Sequence, residues 1–577
     1  MTAPGSELRR ERLNDLTRRA VLIGAALGIA GVSSGGFAHA QSALTDAPIR
    51  EVRCRAVVIG AGLAGAVTAY RLAEAGVRTL VLERGRRWDV DHAGDTFATT
   101  RTLDKRAFYS ADPNSSLYQT FPGGDTFPGI VEILPGDGLA VVCGAGVGGG
   151  TLIYAGATIR PGEAVFRQML PTIDWATMDG EYYPRAARRL QATPIPDDVL
   201  AHPNWSGARE FMRIAEAAGM TPERVLQTVD WDIVRQELSG ERVPALSVGE
   251  YLLGVNSGAR NSVDKTYLAQ AERTGNVVVA PLHRVLSIET DPGTGRFGLD
   301  VERVTDSGSP VEYLHVVADA VFCAAGSAGT SKLLVAARET GALANLNDEV
   351  GRYWGGNGDE GWAQLMTVKA TAGTQGGGIS VAIRDDDNPS APVTLENTAL
   401  PLPADLHLLG MLGMSVCPAV GEFRYDPSTG QVTPHWPPDI QAADRAATRD
   451  LIRRIAAGSD AAGAELATAI DHAISSLADR PGVPTQARGL LHLLTGVPTD
   501  SVNVGPLVPF TGHPLGGATL DTACDNHGRV HGHRGLYVTD AALIPGSTGA
   551  CNPSWTIAAL AERCLDTIID QDIDTVF

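Results

Sequence analysis

Beyond Pro48 the chain alternates short apolar runs with glycine turns. Arg53-Cys54-Arg55-Ala56-Val57-Val58-Ile59 is rich in β-branched residues and is followed at once by Gly60-Ala61-Gly62-Leu63-Ala64-Gly65 and a helical stretch through Ala75. The pattern predicts a strand, a glycine turn and a helix. A second run, Thr79-Leu80-Val81-Leu82, ends in Glu83. Much later come Val277-Val278-Val279, the run Leu282 to Leu286, and Ala320 to Ala325 leading into Gly326-Ser327. Near the C-terminus, Gly535 to Val538 runs into Thr539-Asp540-Ala541. Each reads as a buried strand entering a turn. Pro392 to Leu400 is also strand-like and holds one charge, Glu396, whose facing alternation alone does not decide. Ala456 to Pro506 has alanine-rich helical spacing and then Gly482-Val483-Pro484.

The first forty residues follow a different logic. Residues 1–20 are polar and arginine-rich, Val21 to Gly31 is apolar without charge, and Ala38-His39-Ala40 offers small residues around a cleavable bond. This is the build of a signal peptide over residues 1–40. The apolar run is too short for the roughly 30 Å hydrocarbon core, which disfavours a retained anchor. Thr17-Arg18-Arg19-Ala20-Val21-Leu22 is similar to the twin-arginine signal, whose exporter carries folded proteins. A general secretory signal with two incidental arginines is the alternative. Either way the expected location is secreted or periplasmic, and the twin-arginine exporter is an expected partner.

A chain of 577 residues exceeds one ordinary core and predicts two domains. Its formal charge of −19 argues against nucleic acid, which needs clustered Lys and Arg. An acidic surface favours solubility, so at most transient membrane-surface contact and a monomer are expected. Seven cysteines stand without a C-x-x-C pair, which excludes a zinc ribbon or a thioredoxin-like motif. His527, His531 and His533 lie close together, but Asp525-Asn526-His527-Gly528 reads as a turn into a strand, and no metal is expected.

The strand–turn–helix at residues 53–75 has the chemistry of a dinucleotide site. Gly60 permits the tight turn, Gly62 lets backbone approach a pyrophosphate, Gly65 lets helix pack on strand, and the helix N-terminus supplies N–H groups to the phosphates. Glu83, about twenty residues on, is placed to accept hydrogen bonds from ribose hydroxyls and would repel a 2′-phosphate. Glycine turns also serve as plain connections, yet here strand, helix, second strand and terminal acid fall in register. Because the further nucleotide-domain strands are scattered to the C-terminus, a flavin is favoured over NAD, whose domain is usually one block.

Further motifs carry a family resemblance over roughly residues 50–570. They are Gly144-Ala145-Gly146-Val147-Gly148-Gly149-Gly150-Thr151-Leu152; Asn345 to Gly351 with Trp354 and Asn357-Gly358; Gly512-His513-Pro514-Leu515-Gly516-Gly517; and Tyr537 through Asn552-Pro553 to Ala561-Glu562-Arg563. In this order the chain resembles the glucose–methanol–choline (GMC) oxidoreductases, in particular their cholesterol oxidase branch. The resemblance implies an α/β protein with a Rossmann-like FAD domain built from residues 50–160, 260–340 and 512–577. It also implies a substrate domain, with antiparallel sheet and helices, from 161–259 and 341–511. FAD would be held by Gly60, Gly62, Leu63, Ala64, Gly65, Glu83, Gly150, Tyr154, Val285, Asp540, Ala541, Asn552 and Ser554.

Oxidising an alcohol needs a proton acceptor, a hydride acceptor and polar groups that orient the C–H bond, and flavin supplies only the second. An imidazole titrates near ~6.5 and suits proton exchange at neutral pH, and the resemblance assigns this role to His513. It makes Asn552 the group that steers the hydroxyl. Glu396 matches the acid that in these oxidases moves a proton from C4 to C6. Burial would raise its pKa and make it a usable shuttle. The substrate expected is a 3-hydroxysteroid or another bulky alcohol, with O2 taking the electrons. Tyr154, Ala157, Thr394 and Ser554 depart from the family's usual residues, and the loop before Asn552 has one extra residue, so a wider or more polar pocket is expected. A steroid isomerase with a structural flavin, or a non-catalytic binding protein, are the rival readings.

Overall fold

The computed structural model describes residues 49–91, 93–100, 102–110, 127–134, 136–137, 139–365, 375–399, 408–437, 441–457, 503–504 and 510–577. The expected export signal and nearly all of the alanine-rich stretch before Pro506 lie outside them.

In chain order the principal elements are β1 (Arg50–Ile59), α1 (Leu63–Glu74), β2 (Thr79–Leu82), β3 (Val277–Ala280), β4 (His283–Thr290), β5 (Phe297–Val304), β6 (Pro310–Cys323) and α2 (Gly326–Glu339). There follow β7 (Asp359–Leu365), β8 (Val381–Asp385), β9 (Val393–Thr398), β10 (Leu408–Ser415), β11 (Leu536–Val538) and α3 (Ser554–Asp572). The first sheet runs β3-β2-β1-β6-β5-β4, with β11 also on β6. The pairs among β3, β2, β1, β6 and β11 are parallel, and β5 and β4 complete the sheet antiparallel. Ala56–Val58 and Ala320–Cys323 are fully buried, as continuous apolar runs in a two-sided parallel sheet must be. The carboxyl ends of β1, β2, β6 and β11 deliver Gly60, Glu83, Gly326 and Asp540 to one edge. This is an α/β, Rossmann-like domain assembled from distant parts of the chain.

β1 starts three residues earlier than its apolar run predicts, because Arg50–Val52 pair with Leu314–Val316 of the long β6. A larger difference concerns residues 163–190, which were expected in the second domain. Phe166, Leu170, Trp175, Tyr183 and Leu190 share one buried cluster with residues of β1, β6 and α3, a cluster that also takes in Trp354, Phe423 and Trp436. Trp555 Nε1 donates to the Tyr183 carbonyl at 2.7 Å, and Arg185 pairs with Asp566 at 2.9 Å, so the segment is tied to α3.

The second sheet is antiparallel, as the resemblance implies, in the order Asn503–Val504, β7, β10, β9, β8, Glu223–Arg224. Val393, Leu395, Leu409 and Met411 pack in one cluster with residues of the helices Ser206–Ala217 and Gln441–Ala457. Thr394 and Glu396 alternate with Val393 and Leu395 and are equally buried, so β9 is covered on both faces. All seven cysteines are free thiols.

Candidate active site

A cleft of about 460 Å³ runs along the carboxyl edge of the parallel sheet. It gathers Gly60, Gly62, Leu63, Ala64, Glu83, Gly150, Val285, Asp540, Ala541 and His513 from segments far apart in the chain. Two glycines make the crossing possible. Gly60 has φ +100° and a Cβ there would lie 2.5 Å from the Ala324 carbonyl oxygen; at Gly65 it would lie 2.0 Å from the Gly60 carbonyl oxygen. Gly65 therefore acts through helix–strand packing and does not line the cleft.

The cleft suits a dinucleotide. α1 begins at Gly62 without a side-chain cap and without an acid in its first turn, so its N–H groups face the cleft unsatisfied. Gly150 and Gly326 also line it, and a Cβ on either would meet nothing within 4 Å, which leaves bare backbone for a flat ring or a phosphate to approach. Glu83 is 5% exposed and differs from the expectation in its first task. Its carboxylate accepts from the amides of Ala61 (2.9 Å), Gly85 (2.8 Å) and Gly146 (3.2 Å), binding the two glycine loops together. A carboxylate has about four acceptor sites, so one remains for a ribose hydroxyl. Asp540 is similarly engaged, accepting from Gly326 N and Ala542 N at 2.8 Å and from the Thr330 hydroxyl at 2.5 Å. Burial raises its pKa to about 6.

Two residues expected at the flavin have their polar groups engaged within the chain. Tyr154 does not line the cleft; its hydroxyl bonds with that of Thr228 and its ring lies under the Arg260 guanidinium at 5.1 Å. Ser554 instead donates to the Ala157 carbonyl at 3.1 Å and starts α3, leaving its neighbours Pro553 and Ile557 at the cleft. In both cases a nearer partner within the chain takes the polar group.

The reacting end lies where the cleft meets the second sheet. His513 Nδ1 is 2.8 Å from Asp359 Oδ1, and the Asp359 side chain is 1% exposed. The other oxygen of Asp359 accepts from Gly512 N and the Thr511 hydroxyl, each at 3.0 Å, so one carboxylate holds both the loop and the ring. Burial lowers the His513 pKa, but the Asp359 charge and hydrogen bond, with Glu396 behind them, outweigh it and set it above 6.5. Sequence reading missed Asp359; it adjoins Asn357-Gly358, but its partner lies 154 positions away.

Glu396 is fully buried, and burial raises its pKa to about 8 against the opposing influence of Asn552 and His513. Its Oε2 accepts from Asn552 Nδ2 at 3.3 Å, while Glu396 Oε1 and Asn552 Oδ1 are buried without a partner. Unsatisfied buried oxygens are costly and mark a place where a ligand's polar group belongs. In the loop before Asn552, Ala550 takes φ +57° and Asn357 pins the backbone. The Asn357 side chain donates to the Cys551 carbonyl at 2.9 Å and accepts from Thr548 N at 3.0 Å. Of the three expected catalytic residues, Glu396 and Asn552 meet directly, and His513 lies near enough for its charge to oppose the rise in the Glu396 pKa.

Residues 419–561 match the GMC oxidoreductase family, residues 357–465 a GMC oxidoreductase C-terminal domain, and residues 58–111 an NAD(P)-binding Rossmann-like domain. A cholesterol oxidase of Mycobacterium tuberculosis (strain H37Rv) is 28% identical over 559 residues, covering 88% of this chain and 89% of that protein. A cholesterol oxidase of Acinetobacter baumannii is 24% identical over 560 residues, covering 89% and 94%. Pyridoxine 4-oxidase from Mesorbium loti shares the fold with a TM-score of 0.55 at 15% identity, over 89% of this chain and 99% of that one. A formate oxidase variant from Aspergillus oryzae RIB40, studied for FAD modification, has a TM-score of 0.55 at 14% identity, over 91% and 99%.

Proposed function

Because the chain belongs to the GMC oxidoreductase family, binds FAD and acts on CH–OH donors, we propose that it is an alcohol oxidase whose substrate is a 3-hydroxysteroid. The similarity to cholesterol oxidases along nearly the whole chain supports a sterol over a small alcohol. The observation that carries the reading is the buried Glu396–Asn552 pair, each with one side-chain oxygen left without a partner, near a half-buried His513 held by Asp359.

FAD supplies the hydride acceptor. His513, held at Nδ1 by Asp359, keeps Nε2 for the substrate hydroxyl and takes its proton. Asn552 orients that hydroxyl, and Asn357 fixes Asn552 by pinning the loop before it. Electrons pass to O2 with release of H2O2. Glu396, its pKa raised to about 8, has both forms within reach near neutral pH: as carboxylate it would take the proton from C4 and as acid return it to C6, which would turn a Δ5-ketone into its conjugated Δ4 isomer.

The test is product analysis with a Δ5-3β-hydroxysteroid. Glu396→Gln should still form peroxide but release the unconjugated ketone, because an amide keeps the size and cannot carry the proton. Undiminished conjugated enone, read by its ultraviolet absorbance, would remove Glu396 from the isomerisation.

We further propose that the enzyme is exported folded and loaded through its twin-arginine signal. The Arg18-Arg19 pair ahead of the apolar run supports this reading.

A further inference from the structure

Arginines drawn into this fold usually meet an acid there. Arg71 pairs with Glu562 at 2.7 Å, Arg84 with Glu132 at 2.6 Å and Arg284 with Glu302 at 2.6 Å. Arg260 is different. It is 2% exposed, and its Nε, Nη1 and Nη2 are all buried without a hydrogen-bond partner. The acids of the surrounding segments are committed elsewhere. Asp230 accepts from Asp232 N and Ile233 N, and Glu237 from the amides of Ala245, Leu246 and Ser247 and the Ser257 hydroxyl. Asp264 Oδ1 stands against Gly148, where a Cβ would lie 3.2 Å from it, and is itself without a hydrogen bond. An ion held in the interior without a counter-charge is costly. The Tyr154 ring, 5.1 Å from the guanidinium carbon, gives a cation–π contact but takes none of the five N–H groups. Burial lowers the Arg260 pKa against the opposing Tyr154 and Tyr251 phenols, yet a guanidinium keeps its proton at neutral pH.

Contacts place this charge beside the catalytic sheet. A Cβ on Gly156 would run into Arg260 Nη1, so the guanidinium packs directly on the segment from Gly150 to Ala157. At one end of that segment Tyr154 N donates at 3.0 Å to the carbonyl of Gly150, which lines the cofactor cleft. At the other end the Ala157 carbonyl accepts from Ser554, two positions after Asn552. Ala157 also shares a buried cluster with Cys551, Ala382 and Leu412. Ala382 and Leu412 are the direct cross-strand partners of Glu396. Directly opposed residues of antiparallel strands share a face, so this cluster lies on the Glu396 side of the sheet. Val393 and Leu395, turned the other way, pack with the helices. Neither Arg260 nor Tyr154 lines the cofactor cleft, which leaves the guanidinium to the substrate side.

We propose that Arg260 is an anion anchor for the substrate: the alcohol oxidised here carries a carboxylate, which pairs with the guanidinium while the hydroxyl meets His513 and Asn552. The inference rests on the steroid-alcohol reading above and narrows it to an acidic steroid. The planar fork of N–H groups matches the two oxygens of a carboxylate, which an ammonium cannot do. A neutral sterol would leave the buried charge unmatched, so the same residue selects against it.

The test compares 3β-hydroxy-Δ5-cholenic acid with its methyl ester, which share a skeleton and differ in charge. Wild-type holoenzyme should favour the acid by about 10- to 100-fold in kcat/KM, the range of a charge-assisted contact. Arg260→Met should erase that preference by raising KM for the acid, while the ester stays within a few-fold of wild type. Tm of the substrate-free Met variant should match or exceed wild type, because no partner within the chain is lost. Arg260→Lys, which keeps the charge without the fork, should fall between. Binding of the matching 3-ketones, read from the absorbance of the oxidised flavin, repeats the comparison without turnover. A ketone acid preferred over its ester, with no 3-hydroxysteroid bleaching the flavin, would refute the alcohol reaction and uphold the anchor. If Arg260→Met does not fold, the wild-type comparison and Arg260→Lys decide. A wild type that treats acid and ester alike, an acid preference that survives in Arg260→Met, or equal loss of both compounds in that variant would overturn the proposal.

Discussion

His513 and Asp359 show how one contact sets both geometry and acidity. The Asp359 carboxylate fixes which ring nitrogen faces the substrate and lifts the imidazole pKa above 6.5. A proton acceptor must be neutral, so activity should rise as pH passes upward through that raised value. Asp359→Asn removes the charge that raises it. The acid limb of kcat/KM should therefore move to lower pH while the plateau falls, because the imidazolium formed in the reaction loses its counter-charge. A pH profile of the variant checks this; an unmoved limb would show that Asp359 only holds the loop. The same residues separate what was legible from what was not. Gly60 and Glu83 could be read locally, since turn, strand and acid are neighbours in the chain. The roles of His513, Asn552 and Glu396 came from resemblance to a family, and Asp359 stayed hidden because a lone Asp at the start of a strand looks like any surface acid.

Among the elements, β1, α1 and β2 followed their apolar pattern closely, with β2 spanning Thr79–Leu82 as expected. Where the reading slipped, the missing information was a distant partner. β1 is lengthened by β6, and residues 163–190 are drawn to α3 by Trp555 and Asp566. The pattern within a segment says that a face will be buried but not against what. In the nucleotide site α1 packs tightly on the turn after β1, and this yields a sharp expectation. A Cβ at Gly65 would stand 2.0 Å from the Gly60 carbonyl oxygen. Backbone cannot step aside cheaply there, so Gly65→Ala should cost about 1–3 kcal/mol of stability, as overpacking does. Both Tm and FAD content should fall together; a loaded protein with wild-type Tm would contradict the packing described.

At the scale of the whole molecule, the cleft runs along the parallel sheet while Glu396 sits in the antiparallel one, so the candidate site is assembled from both sheets. Such a site is complete only after folding, which suits the proposal that the protein is exported folded and loaded. Replacing Arg18 and Arg19 by Lys should leave yellow, active enzyme inside the producing cell; continued secretion would point to the general secretory route. The central claim is that His513 removes the hydroxyl proton while a steroid alcohol gives its hydride to the bound FAD. Anaerobic mixing of the purified holoenzyme with a 3β-hydroxysteroid tests it most directly, by following the visible flavin absorbance. The account predicts rapid bleaching in the wild type and bleaching slowed by about 10²–10⁴-fold in His513→Ala with FAD still bound. A flavin that stays yellow with every 3-hydroxysteroid, or an equally fast His513→Ala, would contradict it.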